Sequence, residues 1–177
     1  MGHLTGDTIG AYNSYLDEQK SFDGQTRITT VLFDDKYELL FNGVKLEDAY
    51  IDHEKYFVRG MTALYDALGK TILDVGARLS KTPESERPEK VIFIITTDGY
   101  ENASKEFTKS RVKEMIEHQQ SKYSWEFLFF GANIDSAETA SSIGVSADRS
   151  YDFEASPKGM KKMMECCMAE TRMLRNK

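Results

Sequence analysis

Five consecutive apolar residues, Val91-Ile92-Phe93-Ile94-Ile95, run into Thr96-Thr97-Asp98-Gly99. A continuous apolar run of this length, rich in β-branched residues, fits a strand covered on both faces. Such strands belong to parallel sheets sandwiched by helices. The polar Thr-Thr-Asp-Gly turn then lies at the carboxyl end of the strand, where open α/β sheets bind ligands. Asp-Gly after a strand is also ordinary turn chemistry, so Asp98 on its own marks a turn as readily as a site.

The chain has 177 residues, a length most economically folded as one domain, 1–177. With 40% hydrophobic residues it has the means to bury a sizeable core. The net charge of −6 offers no electrostatic basis for binding nucleic acid or an anionic membrane. No apolar stretch reaches the length of a membrane span. The only cysteines are the adjacent Cys166 and Cys167, which suits a reducing, cytoplasmic setting better than a disulfide framework. The three histidines, His3, His53 and His118, are too scattered to suggest zinc.

Along the chain, strand and helix signals alternate. Asp7 is placed to cap a helix from Thr8 to about Lys20, with Ile9, Tyr12, Asn13 and Leu16 on one face. Thr26–Phe33 and Tyr37–Phe41 read as an antiparallel hairpin closed by Asn42-Gly43. Residues 44–60 read as irregular or short helical connection. A helix is expected over Thr62–Leu79, with a stripe of Leu64, Leu68, Ile72, Val75 and Leu79. Gly69 and Gly76 each weaken it by about 1 kcal/mol and suggest close packing on the sheet. The charged loop Lys81–Lys90 precedes the central strand.

After that strand come a helix over Thr108–Ser121 and a second apolar strand, Ser124–Phe130. Asp135 with Glu138 resembles a capping box, and Gly144 suits the end of a short helix. A short edge strand follows over Arg149–Phe153. Ser156-Pro157 starts the last helix, whose face is Met160, Met163, Met164, Cys167 and Leu174. A methionine stripe is more often adaptable core than a binding groove. The alternation argues for an α/β fold with a mostly parallel sheet.

Two residues stand out as site candidates. Gly60-Met61-Thr62-Ala63-Leu64 puts a threonine at a helix start, where its ordinary role is the N-cap. Asp98 ends the central strand. In a parallel sheet both elements can reach the same edge, and a hydroxyl with a carboxylate are hard oxygen donors suited to Mg²⁺ or Mn²⁺.

At these residues the chain resembles the von Willebrand factor type A family, in its bacterial subgroup. The matching stretches are Gly60-x-Thr62-x-Leu64 with Tyr65-Asp66-Ala67-Leu68, and Val91–Thr97 with Asp98-Gly99. Thr8-Ile9-Gly10-Ala11-Tyr12-Asn13 and Phe129-Phe130-Gly131-Ala132-Asn133-Ile134-Asp135 also match. The resemblance covers nearly the whole chain. It implies a Rossmann-like, mostly parallel sheet with one antiparallel edge hairpin and helices on both faces. It further implies a protein–protein interaction module rather than an enzyme. In that family a metal-ion-dependent adhesion site combines a D-x-S-x-S loop, a threonine and an aspartate. Its metal is bridged to an acidic side chain of a protein partner. By resemblance Thr62 and Asp98 are the threonine and the aspartate, with Gly99, Glu101, Asn133 and Asp135 as candidates for the rim.

The chain departs from the family in having no D-x-S-x-S motif, and Met1-Gly2-His3-Leu4 looks like what usually follows it. The expectation is a domain shortened at its N-terminus, lacking the first, mid-sheet strand. Such a strand buries apolar surface worth on the order of 10 kcal/mol, comparable to a domain's net stability. Either Thr26–Phe33 and Val91–Thr97 therefore close up, or another chain fills the gap in a homo-oligomer. The alternative functions are an assembly subunit using the unpaired strand edges or the Met-rich last helix, and more distantly a metal-assisted hydrolase using Asp98 and Glu101. No Walker A loop, G-x-S-x-G or HExxH supports the hydrolase. With Thr62 and Asp98 as the retained ligands, calorimetric titration with Mg²⁺ or Mn²⁺ is expected to show no micromolar binding. A micromolar isotherm would contradict this reading.

Overall fold

The computed structural model of the protein describes residues 2–58 and 60–177. Met1 and Arg59, which begin the opening stretch and interrupt the 44–60 connection, lie outside the described residues. The order of elements is α1 (Thr5–Gln19), β1 (Arg27–Phe33), β2 (Tyr37–Lys45), α2 (Leu64–Lys81) and β3 (Ile92–Thr97). There follow α3 (Lys109–Tyr123), β4 (Glu126–Gly131), α4 (Ser136–Ser142), β5 (Ser150–Asp152) and α5 (Pro157–Arg175). The fold is α/β, as the alternation predicts. No helix is long and apolar enough to cross a membrane among the described residues.

The strands form two sheets. β3, β4 and β5 make a parallel sheet in that order, with Ile92 opposite Glu126 and Thr97 opposite Gly131. β1 and β2 make a separate antiparallel pair. The single sheet with an edge hairpin is therefore not what forms: among the described residues the hairpin is not hydrogen-bonded to the parallel sheet. Nor do β1 and β3 close up against each other. The hairpin also continues past Asn42-Gly43. Register shifts take up the extra residues of β2, Gly43 sits at φ +68°, and its N–H donates to Thr29 Oγ1 at 3.1 Å.

Alternation along β3 and β4 sorts their side chains to two cores. Ile95, Phe127 and Phe129 pack on one face with Leu64, Leu68, Ile72 and Val75 of α2 and with Val112, Met115 and Ile116 of α3. Ile92, Ile94, Leu128 and Phe130 pack on the other, against Met160, Met163, Cys167 and Leu174 of α5. The methionine stripe is thus core. The hairpin is carried by helices instead. Ile28, Phe41 and Val44 pack with Leu16 and Tyr12 of α1, and Arg78 of α2 donates to Thr29 Oγ1 at 2.8 Å.

β1 and β3 run in the same direction. At their amino ends, Arg175 of α5 donates to Thr26 Oγ1 at 3.0 Å, and Lys90 donates to the Leu174 carbonyl at 2.6 Å. At their carboxyl ends, the Ala63 N–H donates to the Asp34 carbonyl at 2.7 Å, and Asn102 N–H to the Thr62 carbonyl at 2.9 Å. Between the two strands lies a cavity of about 1630 Å³, walled by α2 on one side and by α1 and α5 on the other.

Several helix ends follow the sequence signals. Thr108, Asp135 and Ser156 accept backbone N–H bonds as N-caps of α3, α4 and α5, and Gly144 follows α4 at φ +85°. α1 differs: it begins at Thr5 with no side-chain cap, and Asp7 lies within its first turn. Gly69 gives room to the Phe107 ring, which a β-carbon there would meet at 2.3 Å, rather than to the sheet.

Gly159 in the first turn of α5 sits against the Glu154 carbonyl oxygen, 1.9 Å from where a β-carbon would be. Gly10, on the exposed side of α1, has open space at the same position. Gly159→Ala is therefore expected to lower stability by about 1–3 kcal/mol, whereas Gly10→Ala raises it by up to about 1 kcal/mol. Urea midpoints of the two variants check the contrast.

Candidate functional site

The carboxyl end of β3 is shaped by its own hydroxyl. Thr97 is buried and donates to the Gly99 carbonyl at 3.0 Å, which folds the Asp98-Gly99 turn. A β-carbon on Gly99 would lie 3.6 Å from Thr62 Oγ1. Thr62 is clamped by Asn102 from both sides: its N–H donates to Asn102 Oδ1 at 2.9 Å, and its carbonyl accepts the Asn102 N–H at 2.9 Å. The threonine, the glycine and the aspartate thus come together at one edge.

Thr62 does not cap α2. The helix begins at Leu64 with no cap bond from its own flanking side chain. Its free N–H groups are satisfied from the loop after β3. The Glu101 carboxylate accepts the Tyr65 N–H at 3.0 Å, and Ser104 Oγ accepts the Asp66 N–H at 3.0 Å. The other Glu101 oxygen accepts the N–H groups of Ala103 and Ser104. Glu101 is therefore a part-buried cap and turn residue rather than a solvated one. An acidic group at a helix N-terminus also favours the helix dipole.

Asp66 completes the stitching in the opposite direction. Its buried carboxylate accepts three backbone N–H groups, from Lys105, Glu106 and Phe107, at 2.8–2.9 Å. Burial works to raise its pKa, but these three donors outweigh it and hold the carboxyl below the ordinary aspartate value. Nothing in local spacing distinguishes Asp66 from a solvated first-turn aspartate, because its partners lie some 40 residues further along the chain.

Asp34, Thr62 and Asp98 all line the same mouth of the cavity between β1 and β3. Asp34 is buried; its Oδ1 accepts the Lys36 N–H at 2.7 Å. Tyr56 is at this mouth too. Burial raises its phenol pKa, the Thr8 side chain offsets part of that, and the Asp98 charge raises it further. Phe57 and Met61, each 47% exposed, flank the mouth. Asn133 and Asp135 sit one strand away, beyond β4, and do not line the cavity. Asn133 is left-handed at φ +59°, and Asp135 caps α4 while its N–H donates to the Tyr100 hydroxyl at 3.0 Å.

As metal donors, these residues offer one hydroxyl and one carboxylate from Thr62 and Asp98. Among the described residues no group of three His, Cys, Asp or Glu side chains is arranged to hold a metal ion. An octahedral oxygen shell for Mg²⁺ is not assembled by this set alone. Burial is the chief cause that pushes the Cys167 thiol up to about 12. No known protein family matches the chain, and no curated protein or solved structure does.

The bonds to Asp66 have a checkable consequence. Its lowered pKa stabilises the fold above the ordinary aspartate pKa, and that contribution is lost as pH falls through the folded value. Asp66→Asn is expected to cost about 2 kcal/mol near neutral pH. The gap between the urea midpoints of wild type and variant should narrow from about pH 5 to about pH 2. An unchanged gap would contradict the assignment.

Proposed function

We propose that this chain is a protein-interaction module of the von Willebrand factor type A kind, with Thr62, Asp98 and Gly99 on the surface that meets its partner. The observation that supports the reading most is the two-point clamp between Thr62 and Asn102. It brings a threonine and an aspartate, far apart in sequence, to one edge of a helix-covered parallel sheet. That edge is where α/β sheets present their ligand sites. Around it, Phe57, Met61 and the 55%-exposed Tyr100 offer apolar and aromatic area to a protein surface.

A Mg²⁺ or Mn²⁺ ion, bridging to an acidic partner side chain, belongs to this reading only through the family resemblance. Thr62 and Asp98 alone do not complete its shell. An assembly subunit is the second reading, favoured by the edges of β1 and β3 that pair with no strand among the described residues. A hydrolase gains little support, since both Glu101 oxygens are engaged by backbone N–H and hydroxyl groups.

Site-specific photocrosslinking in cells tests the module. A benzoyl-phenylalanine at Tyr100 is expected to trap a second protein, and Asp98→Ala is expected to reduce that product at least about fivefold. The same probe at Tyr123, exposed at the end of α3 and ahead of the amino end of β4, should not trap it. Equal trapping at both positions, or products containing this chain only, would remove the proposal.

A further inference from the structure

At the amino end of β1, away from the Thr62–Asp98 edge, Arg27, Lys45 and Arg78 converge. Ile28, Phe41 and Val44 pack toward α1, and the Thr30 hydroxyl meets that of Tyr12 on the same helix. Alternation therefore turns Arg27 and Thr29 to the other side of the hairpin, toward α2. Lys45 stands directly opposite Arg27 in the strand register, on the same side. Arg78 arrives there from the last turn of α2. Its Nη1 donates to Thr29 Oγ1 and to Asn42 Oδ1, each at 2.8 Å. The guanidinium lies over Gly43, where a β-carbon would be 2.2 Å from Nη1 and 2.6 Å from Cζ. The missing side chain is what gives it room.

The fold itself gives little reason for this cluster. Among the described residues Arg27, Lys45 and Arg78 are in no ion pair. Like charges directly opposite each other across a hairpin destabilise the pairing. Burial, and after it the charge of Arg27, lower the Arg78 pKa. A cation in the last turn of α2 suits the helix dipole. That accounts for Arg78 but not for Arg27 and Lys45, which lie on strands and are exposed. Both Arg78 bonds leave from Nη1, so its Nε and Nη2 donors have no acceptor among the described residues. A guanidinium fixed in place, with donors to spare and two cations beside it, suits a compact anion of more than one charge.

We infer that Arg27, Lys45 and Arg78 form a binding site for a phosphate monoester carried on a side chain of a partner protein. The spare Arg78 donors bond phosphate oxygens, and Arg27 and Lys45 supply the charge that balances a group of about −1.5 to −2. A single carboxylate balances less of it. The net charge of −6 limits the size of the anion. A long polyanion such as nucleic acid meets repulsion from the rest of the surface, whereas one phosphorylated side chain does not. The exposure of Arg27 and Lys45 points to the carrier. Small molecules are held in clefts that enclose most of their surface. A phosphate laid against exposed cations is delivered by a protein surface. The site shares no residue with the Thr62–Asp98 edge and stands independently of the reading of that edge.

Resin-bound peptide libraries test it. One has the form Ala-x-x-phosphoserine-x-x-Ala, degenerate at x, and two others carry Ser or Glu at the fixed position. The purified protein is expected to be retained on the phosphoserine library at least about tenfold more than on either other. Arg78→Gln should reduce retention at least about fivefold, and so should Arg27→Gln combined with Lys45→Gln. The combined variant changes only exposed side chains, so the test holds even where Arg78→Gln unfolds. Lys158→Gln, at an exposed cation in the first turn of α5, should leave retention within about twofold. Retention on the Ser or Glu library equal to that on phosphoserine, or an equal loss in Lys158→Gln, would overturn the site. Peptides enriched from the library should bind at least about tenfold more tightly than free phosphoserine in an anisotropy competition. Equal affinity would overturn the partner-protein carrier.

Discussion

The position of the site depends on one set of polar contacts, those between the loop after β3 and the first turn of α2. Asp66 takes three N–H groups from that loop, and Glu101 and Ser104 return the exchange by capping the helix. Groups of this kind are satisfied at close to one geometry, because each bond fixes both distance and direction. An apolar contact would tolerate sliding. The loop is therefore registered on the helix, and Asn102 is carried to both sides of Thr62. Charge assistance strengthens these bonds, and partial burial keeps water from competing.

The same stitching accounts for how the hairpin stays in place without strand pairing. Residues 62 and 63 tie the end of β1 to the loop after β3, and the end of α5 ties the start of β1 to Lys90. Helices α1 and α2 hold the two sheets as walls hold a gap. Bridges at both ends and walls on both faces hold β1 and β3 apart across the cavity. The half-buried state of their apolar side chains is the physical cost of that arrangement.

Much of the candidate site was legible as residue types and little of it as geometry. Thr62, Asp98 and Gly99 are readable as a helix start and a strand end, and those two elements do meet. Thr62 does not take the ordinary N-cap role of a threonine at a helix start, because a distant loop caps α2 and leaves no mark near the helix. Asn102 carried no signal beyond being a polar residue near a turn, and Asp66 stood out only as part of the matched stretch Tyr65-Asp66-Ala67-Leu68.

Sequence alone determined the identity and order of the helices and strands, the caps of α4 and α5, and the alternation that sorts strand side chains to two faces. Those properties follow from spacing within a few residues, as Phe127 to Phe130 illustrate by alternating between two cores. Tertiary structure decided that the hairpin stands apart from the parallel sheet, that the opening lies between β1 and β3, and that Glu101 rather than Thr62 serves α2. Each of these depends on contacts between residues tens of positions apart. Local pattern is silent there, because the free energy of a strand edge or a helix end is set by whatever the rest of the chain brings to it.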